Sequence, residues 1–385
     1  MNDERLATHL KERPAQLKQA KDKGIKVVGY FPGNYVPEEL IYAAGAVPVC
    51  FARADITGSE ATAALEIMPH IGCPFARTQI GERHLNTNPY YEMIDLFVAP
   101  ITCQHLKKVA EIWDYYGDME IFKLGVPHQY YGDIELDYYT GRLDDLKNRL
   151  HALTGNKITT AEMHNAIELY NRIRDLFRKI SLTRRTSIPP ISALEFARLH
   201  HASLYADPLF IAEYLEDVYQ KCSTKSQENI DGDSPRILLI GPNLADGDYS
   251  VMQLVKDAGA NIVIEEICEG LRYYWKDIDD QGDPLQSLAR GYLQERVPCA
   301  YMRYSSKKRL DFALELIKEF NVTGVIWYEL LCCETYDMES FFFERELGER
   351  NIPMLTLESS YEAEGIGQTR IRIDAFIEML KGGIE

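Results

Sequence analysis

The sequence predicts an α/β protein made of two Rossmann-like (flavodoxin-like) parallel-sheet domains with a helical insertion between them. Three observations predict it. Short β-rich apolar runs alternate with segments of helical period from residue 25 to residue 155, and the alternation restarts at 236. The stretch between, opening with TTAEMHNAIELYNRIRDLFRKI, has helical period throughout. Cysteines recur just past the ends of predicted strands, where open α/β sheets bind their ligands. A chain of 385 residues also exceeds one ordinary core. The expected division is an N-terminal helix at 1–23, a first α/β domain at 24–155, a helical linking region at 156–234 and a second α/β domain at 235–385.

In order, residues 4–22 read as a helix and Ile25–Phe31 as a strand. Gly33 and Asn34 mark a turn. A short helix has Pro37 early and Gly45 at its end, the usual asymmetry. Ala46–Phe51 is a strand whose Cys50 sits in an apolar run and reads as core. A break at His70–Pro74 places Cys73 close to the N-cap of the next helix, where the dipole lowers a thiol's pKa. Residues 93–100 are a strand followed by Cys103 and the helix HLKKVAEIWDYYG. Glu120–Val126 is a strand and Asp144–Leu153 a helix. Thr160 is the expected cap of the linking helices, which Pro189-Pro190 interrupts, and Cys222 in KCSTKSQEN reads as solvent-facing.

Arg236–Gly241 and Ala260–Glu266 are strands around a helix at Tyr249–Gly259, with Cys268 just beyond the second. Leu285–Glu295 is helical, then Cys299 follows. After a helix at Arg309–Phe320, the apolar strand Val325–Tyr328 leads to Cys332 and Cys333. A further helix, the strand Pro353–Glu358 and a helix at Gln368–Leu380 close the pattern.

The charge balance, 42 Lys and Arg against 59 Asp and Glu, argues against nucleic acid and anionic membrane as partners. No apolar run approaches the length of a membrane span. The charged start lacks an apolar signal core, so the expected compartment is the cytoplasm, where eight cysteines are metal or redox ligands more often than disulfides.

Cys73 and Cys103 are 30 residues apart, Cys268 and Cys299 are 31 apart, and Cys299 and Cys332 are 33 apart. A βα unit is about 30 residues long, so such spacing returns the chain to one end of a sheet at each step. Six thiols could thus converge between the domains, and soft thiolates there suit an iron–sulfur cluster. Zinc is disfavoured because no C-x₂₋₄-C pair is present. His70, His105 and Glu334 are candidate proton donors beside these cysteines, though surface or capping roles fit them as well. Glu265, Glu266 and Glu269 read as solvated or salt-bridged. No P-loop, dinucleotide fingerprint or nucleophile elbow is found; the loop Gly241–Gly247 lacks the lysine.

GYFPGNYVPEELIYAAGAVPV at 29–49, Cys73 in GCPFAR, Cys103 after its strand, Cys333 in CCETY and the end PMLTLESSYEAEGIGQTRIRIDAFIEML carry a resemblance. Together they resemble the benzoyl-CoA reductase and 2-hydroxyacyl-CoA dehydratase family over nearly the whole chain. The resemblance implies a 4Fe–4S cluster on Cys73, Cys103 and Cys333, held between two α/β domains. It also implies a separate ATP-hydrolysing iron–sulfur activator protein that injects low-potential electrons. The additional Cys268, Cys299 and Cys332 are similar to the double-cubane cluster branch, in which six cysteines hold an 8Fe–9S unit in a homodimer. The expected function is therefore an iron–sulfur reductase component acting on a small-molecule substrate. The alternative is a single-cubane subunit acting on an acyl-CoA, and a third reading is a non-catalytic cluster carrier.

Overall fold

The computed structural model describes residues 4–55, 57–70, 72–117, 119–225, 234–361 and 365–382. Helix α1 (Glu4–Asp22) precedes the first α/β half. That half runs β1 (Val27–Tyr30), α2 (Glu38–Ala43), β2 (Val47–Cys50), α3 (Ser59–Ile67), α4 (Pro74–Leu85), β3 (Leu96–Ile101), α5 (Gln104–Tyr116), β4 (Ile121–Gly125) and α6 (Asp133–Thr154). Three helices follow: α7 (Thr160–Leu182), α8 (Ala193–Ser203) and α9 (Pro208–Lys225). The second half runs β5 (Arg236–Ile240), α10 (Ser250–Asp257), β6 (Asn261–Glu266), α11 (Leu271–Tyr274), α12 (Pro284–Arg290), α13 (Ser305–Glu319), β7 (Gly324–Leu330), α14 (Glu334–Gly348), β8 (Met354–Ser359) and α15 (Ile366–Gly382).

Both sheets are wholly parallel, in the orders β2-β1-β3-β4 and β6-β5-β7-β8. Each is the same doubly wound arrangement, with the first strand inside the second. Parallel strands covered on both faces need nearly continuous apolar runs. Every residue of β1, β5 and β7 is accordingly buried. The predicted strands are right in place; most run one to a few residues too long, whereas Val325–Tyr328 is shorter than β7 and Pro353–Glu358 is offset from β8 by one residue.

Helix α6 is twice the length expected from Asp144–Leu153. Its first turns carry exposed Ile134 and Tyr138, which blur the apolar stripe. Thr159, not Thr160, caps α7, in a reciprocal capping box with Glu162. Cys222 is buried on α9, in one stripe with Val218 and Leu215, rather than facing solvent. Its polar neighbours in sequence occupy the other faces of the helix.

Helix α7 and the turn after it touch both halves. Arg174 donates to Glu39 of α2 at 2.7 Å, with both side chains fully buried. Arg184 pairs with Glu265 of β6 at 2.5 Å. The halves also meet directly, through Ala54 N–H to the Asp246 carbonyl (2.8 Å) and Asp246 N–H to the Ala52 carbonyl (2.7 Å).

Buried acids, Asp248 and Glu82 among them, tune the pH response. Burial pushes Asp248 up to about 6 and Glu82 up to about 7. Each holds its proton more tightly when folded, so its stabilising contribution is complete below the ordinary carboxylate range and is lost as pH rises through those values. The urea midpoint is expected to fall between about pH 5 and about pH 8. Glu82→Gln should flatten that fall, with a gain on the order of 2 kcal/mol at the alkaline end.

Candidate metal centre

Cys73, Cys103, Cys268, Cys299, Cys332 and Cys333 all line one cavity of about 320 Å³. Its walls are the segments that leave the carboxyl ends of strands in both sheets. β1 leads to Pro32, Gly33 and Tyr35, β3 to Cys103, β4 to His128, β5 to Pro242 and Asn243, β6 to Cys268, and β7 to Cys332 and Cys333. This is the place where open α/β sheets bind ligands. Gly33 has φ +122°, a conformation that favours glycine and turns the chain beside the cavity.

Three of the thiols occupy equivalent positions. Cys73 is the N-cap of α4, Cys103 of α5 and Cys333 of α14. The backbone N–H groups of Phe75 and Ala76 face the Cys73 sulfur, those of His105 and Leu106 face Cys103, and that of Tyr336 faces Cys333. Helix N-termini favour negative charge at such points. The expected lowering of the Cys73 pKa does not follow, however. Burial pushes it up to about 12, and it pushes Cys103 and Cys333 up as well. Desolvation outweighs the N–H groups, so these sulfurs stay neutral until a cation supplies the missing attraction.

Cys268 and Cys299 form a second set, each acting on the other's charge. That interaction raises Cys268 and lowers Cys299, and Arg272 and Arg309 add to the lowering of Cys299. The Asn34 side-chain amide donates to the Cys268 carbonyl, and Cys299 N–H donates to the Tyr35 hydroxyl at 3.3 Å, so the first half positions these second-half cysteines. Cys332 is exposed and left-handed, with φ +60°, which separates its direction from that of Cys333. A Cβ on Gly72 would come within 2.6 Å of the Cys332 sulfur, so only glycine fits beside it.

Of the proton-donor candidates, His105 borders the cavity and its Nε2 lies 3.2 Å from the Cys332 carbonyl. Glu334 also lines it, at an exposed position. His70 is exposed and does not line it. Glu265 and Glu266 are salt-bridged but buried, Glu266 between Arg272 (2.8 Å) and Arg309 (2.9 Å). Glu269 is not solvated, and among the described residues it has no salt-bridge partner. It is buried, accepts from Leu244 N–H at 3.1 Å, and burial pushes its pKa up to about 8.

Sequence reasoning missed Tyr35, His128, Tyr301 and Tyr336, which also line the cavity. His128 was within reach, since it follows β4 as the cysteines follow their strands. The tyrosines carry no such signal. Cys50 is buried at the end of β2, apart from the cavity, as expected of a core residue. Among the described residues no three His, Cys, Asp or Glu side chains close on a point tight enough for a single metal ion. The thiols surround a space instead of meeting at one point.

The fold and this site define a two-sheet α/β protein with a thiol-lined cavity between its sheets. Residues 34–380 match the model of the 2-hydroxyglutaryl-CoA dehydratase D-component family, and the chain belongs to that family. The putative dehydratase subunit YjiM of Escherichia coli (strain K12) is 26% identical over 94% of this chain and 93% of its own. A benzoyl-CoA reductase component of Thauera aromatica is 23% identical over 95% of this chain and 93% of its own. The (R)-phenyllactyl-CoA dehydratase beta subunit of Clostridium sporogenes is 24% identical over 94% of each chain. The family's members are dehydratase and reductase subunits, and this chain is an enzyme.

Proposed function

We propose that the chain is an iron–sulfur reductase component that reduces a small molecule at a double-cubane 8Fe–9S cluster, using low-potential electrons from a separate ATP-hydrolysing activator. The observation that carries this reading is the convergence of six cysteines, far apart in sequence, on one cavity. The donor set suits the group: soft thiols, three of them at helix N-caps, around a space too broad for one ion. Cys73, Cys103, Cys268, Cys299, Cys332 and Cys333 would hold it, three to each cubane. The bound cluster would supply one-electron transfer at low potential.

The chain's own residues supply the rest. Tyr35, Tyr301, Leu330 and Phe75 exclude water from the walls. His105 and Glu334 stand at the border of the cavity as groups able to pass a proton inward. No lysine or arginine is among the described residues that line it, which suits a small substrate better than a nucleotide-bearing thioester. The absence of a P-loop motif from the sequence supports ATP hydrolysis on a partner. Eight free cysteines suit a reducing cytoplasm, and one chain carrying all six cavity thiols suits a homodimer.

The second reading is a single-4Fe–4S subunit of an acyl-CoA dehydratase or benzoyl-CoA-type reductase. It is favoured by the activities for which the relatives are named. Activator assays separate cluster-dependent reduction from mere storage. With activator and ATP, sustained consumption of a small acceptor is expected, with none when ATP is withheld. Reduction that stops after the cluster's own electrons would sink the enzymatic reading, and acceptance of acyl-CoA substrates alone would favour the second.

A further inference from the structure

We infer that Arg272 and Tyr336 set the reduction potential at the Cys268–Cys299 end of the cavity. The inference rests on the iron–sulfur reading above. Arg272 Nη1 donates to the Cys268 sulfur at 3.3 Å. Arg272 is itself held by Glu266, 2.8 Å from its Nε, and by the carbonyls of Gly241 and Glu266. On the neighbouring thiol, the Tyr336 hydroxyl lies 3.7 Å from the Cys299 sulfur. Arg309 Nη1 donates to that hydroxyl at 3.0 Å, which leaves the phenolic proton free to point at the sulfur. Arg309 is fixed in turn by Glu266 (2.9 Å) and Glu339 (3.2 Å). Arg272, Arg309, Glu266 and Tyr336 are all almost completely buried, so this base is rigid and shielded from water.

The other end of the cavity is built differently. Cys73, Cys103 and Cys333 meet backbone N–H groups, and among the described residues the side-chain hydroxyl in hydrogen-bond range of them is that of Thr335, 3.9 Å from Cys333. The two ends are therefore electrostatically unequal. Reduction adds negative charge to cluster and ligand sulfurs. A guanidinium aimed at one sulfur and a polarised phenol at the next stabilise that charge, most strongly where water is excluded. The added electron is drawn to the inner Cys268–Cys299 end, away from exposed Cys332. Arg272 and Tyr336 are positioning residues in this scheme, since they act through the thiolates.

The test is a redox titration, followed by electron paramagnetic resonance, of anaerobically reconstituted full-length wild type, Arg272→Gln, Arg272→Lys and Tyr336→Phe, with iron counted in each. At equal iron content, Arg272→Gln is expected to lower the reduced-to-oxidised ratio at a given potential about tenfold, which is about 59 mV for one electron. Tyr336→Phe should lower it about threefold, as for one hydrogen bond. Arg272→Lys should shift less than Arg272→Gln. Should Arg272→Gln fail to fold, Tyr336→Phe, which loses only an oxygen, decides the matter. Wild-type potentials in Tyr336→Phe and Arg272→Gln at full iron content would overturn the inference and leave the cluster reading standing. Wild type that takes up no iron would overturn that reading, and this inference with it.

Discussion

Cys333→Ser is expected to leave the reconstituted protein without its cluster. Cys333 caps α14, lines the cavity and lies electrostatically coupled to Cys73 and Cys103. Serine keeps the size of the side chain but replaces a soft thiolate with a hard, weakly acidic hydroxyl. Removing a group that merely supports a ligand costs roughly 10–100-fold in metal affinity, and losing the ligand itself costs more. Iron per chain should fall to background in Cys333→Ser, and Cys73→Ser should match it. Cys50→Ala and Cys222→Ala should keep wild-type iron, because both thiols are packed in the core away from the cavity. Iron retention in Cys333→Ser, or its loss in Cys222→Ala at unchanged thermal stability, would contradict the ligand assignment.

Arg174→Leu is expected to destabilise the fold by about 3–5 kcal/mol, the usual cost of leaving one member of a buried ion pair alone. Arg174 and Glu39 are both fully buried, 2.7 Å apart, and join α7 to α2. Burial alone would raise the Glu39 pKa, yet Arg174 holds it below its ordinary value. The pair's contribution is therefore present above the ordinary carboxylate range and lost as pH falls through the folded value. The urea midpoint of Arg174→Leu should drop steeply near neutral pH and approach wild type in acid. Arg174→Leu/Glu39→Gln should recover part of the loss, because no charge is then stranded. A single variant with an unchanged midpoint at neutral pH would show that α7 is not tied to the first half through this pair.

The fold was legible because parallel strands buried on both faces write themselves as short apolar runs. Ile237–Ile240 and Val325–Tyr328 leave little room for another reading. The cavity was legible through spacing, since Cys103, Cys268 and the Cys332–Cys333 pair each follow a strand. What stayed hidden depends on contacts between distant segments. Cys222 looks polar by its neighbours, but a helix buries by period, and the stripe through Leu215 and Val218 carries it inward. Cys73 sits at the N-cap as its Pro74 announces, yet the burial that reverses its pKa comes in a core that joins distant residues such as Phe75 and Leu330. Tyr336 and Arg309 are 27 residues apart, and nothing in their local sequence shows that one polarises the other beneath Cys299.

Iron and acid-labile sulfide, counted per chain in protein purified without oxygen, test the cluster assignment most directly. The double-cubane reading expects about eight irons and nine sulfides, all lost together in Cys333→Ser. About four irons would move the assignment to the single-cubane subunit. Protein that binds no iron under reconstitution, with all six cavity thiols reduced, would contradict it.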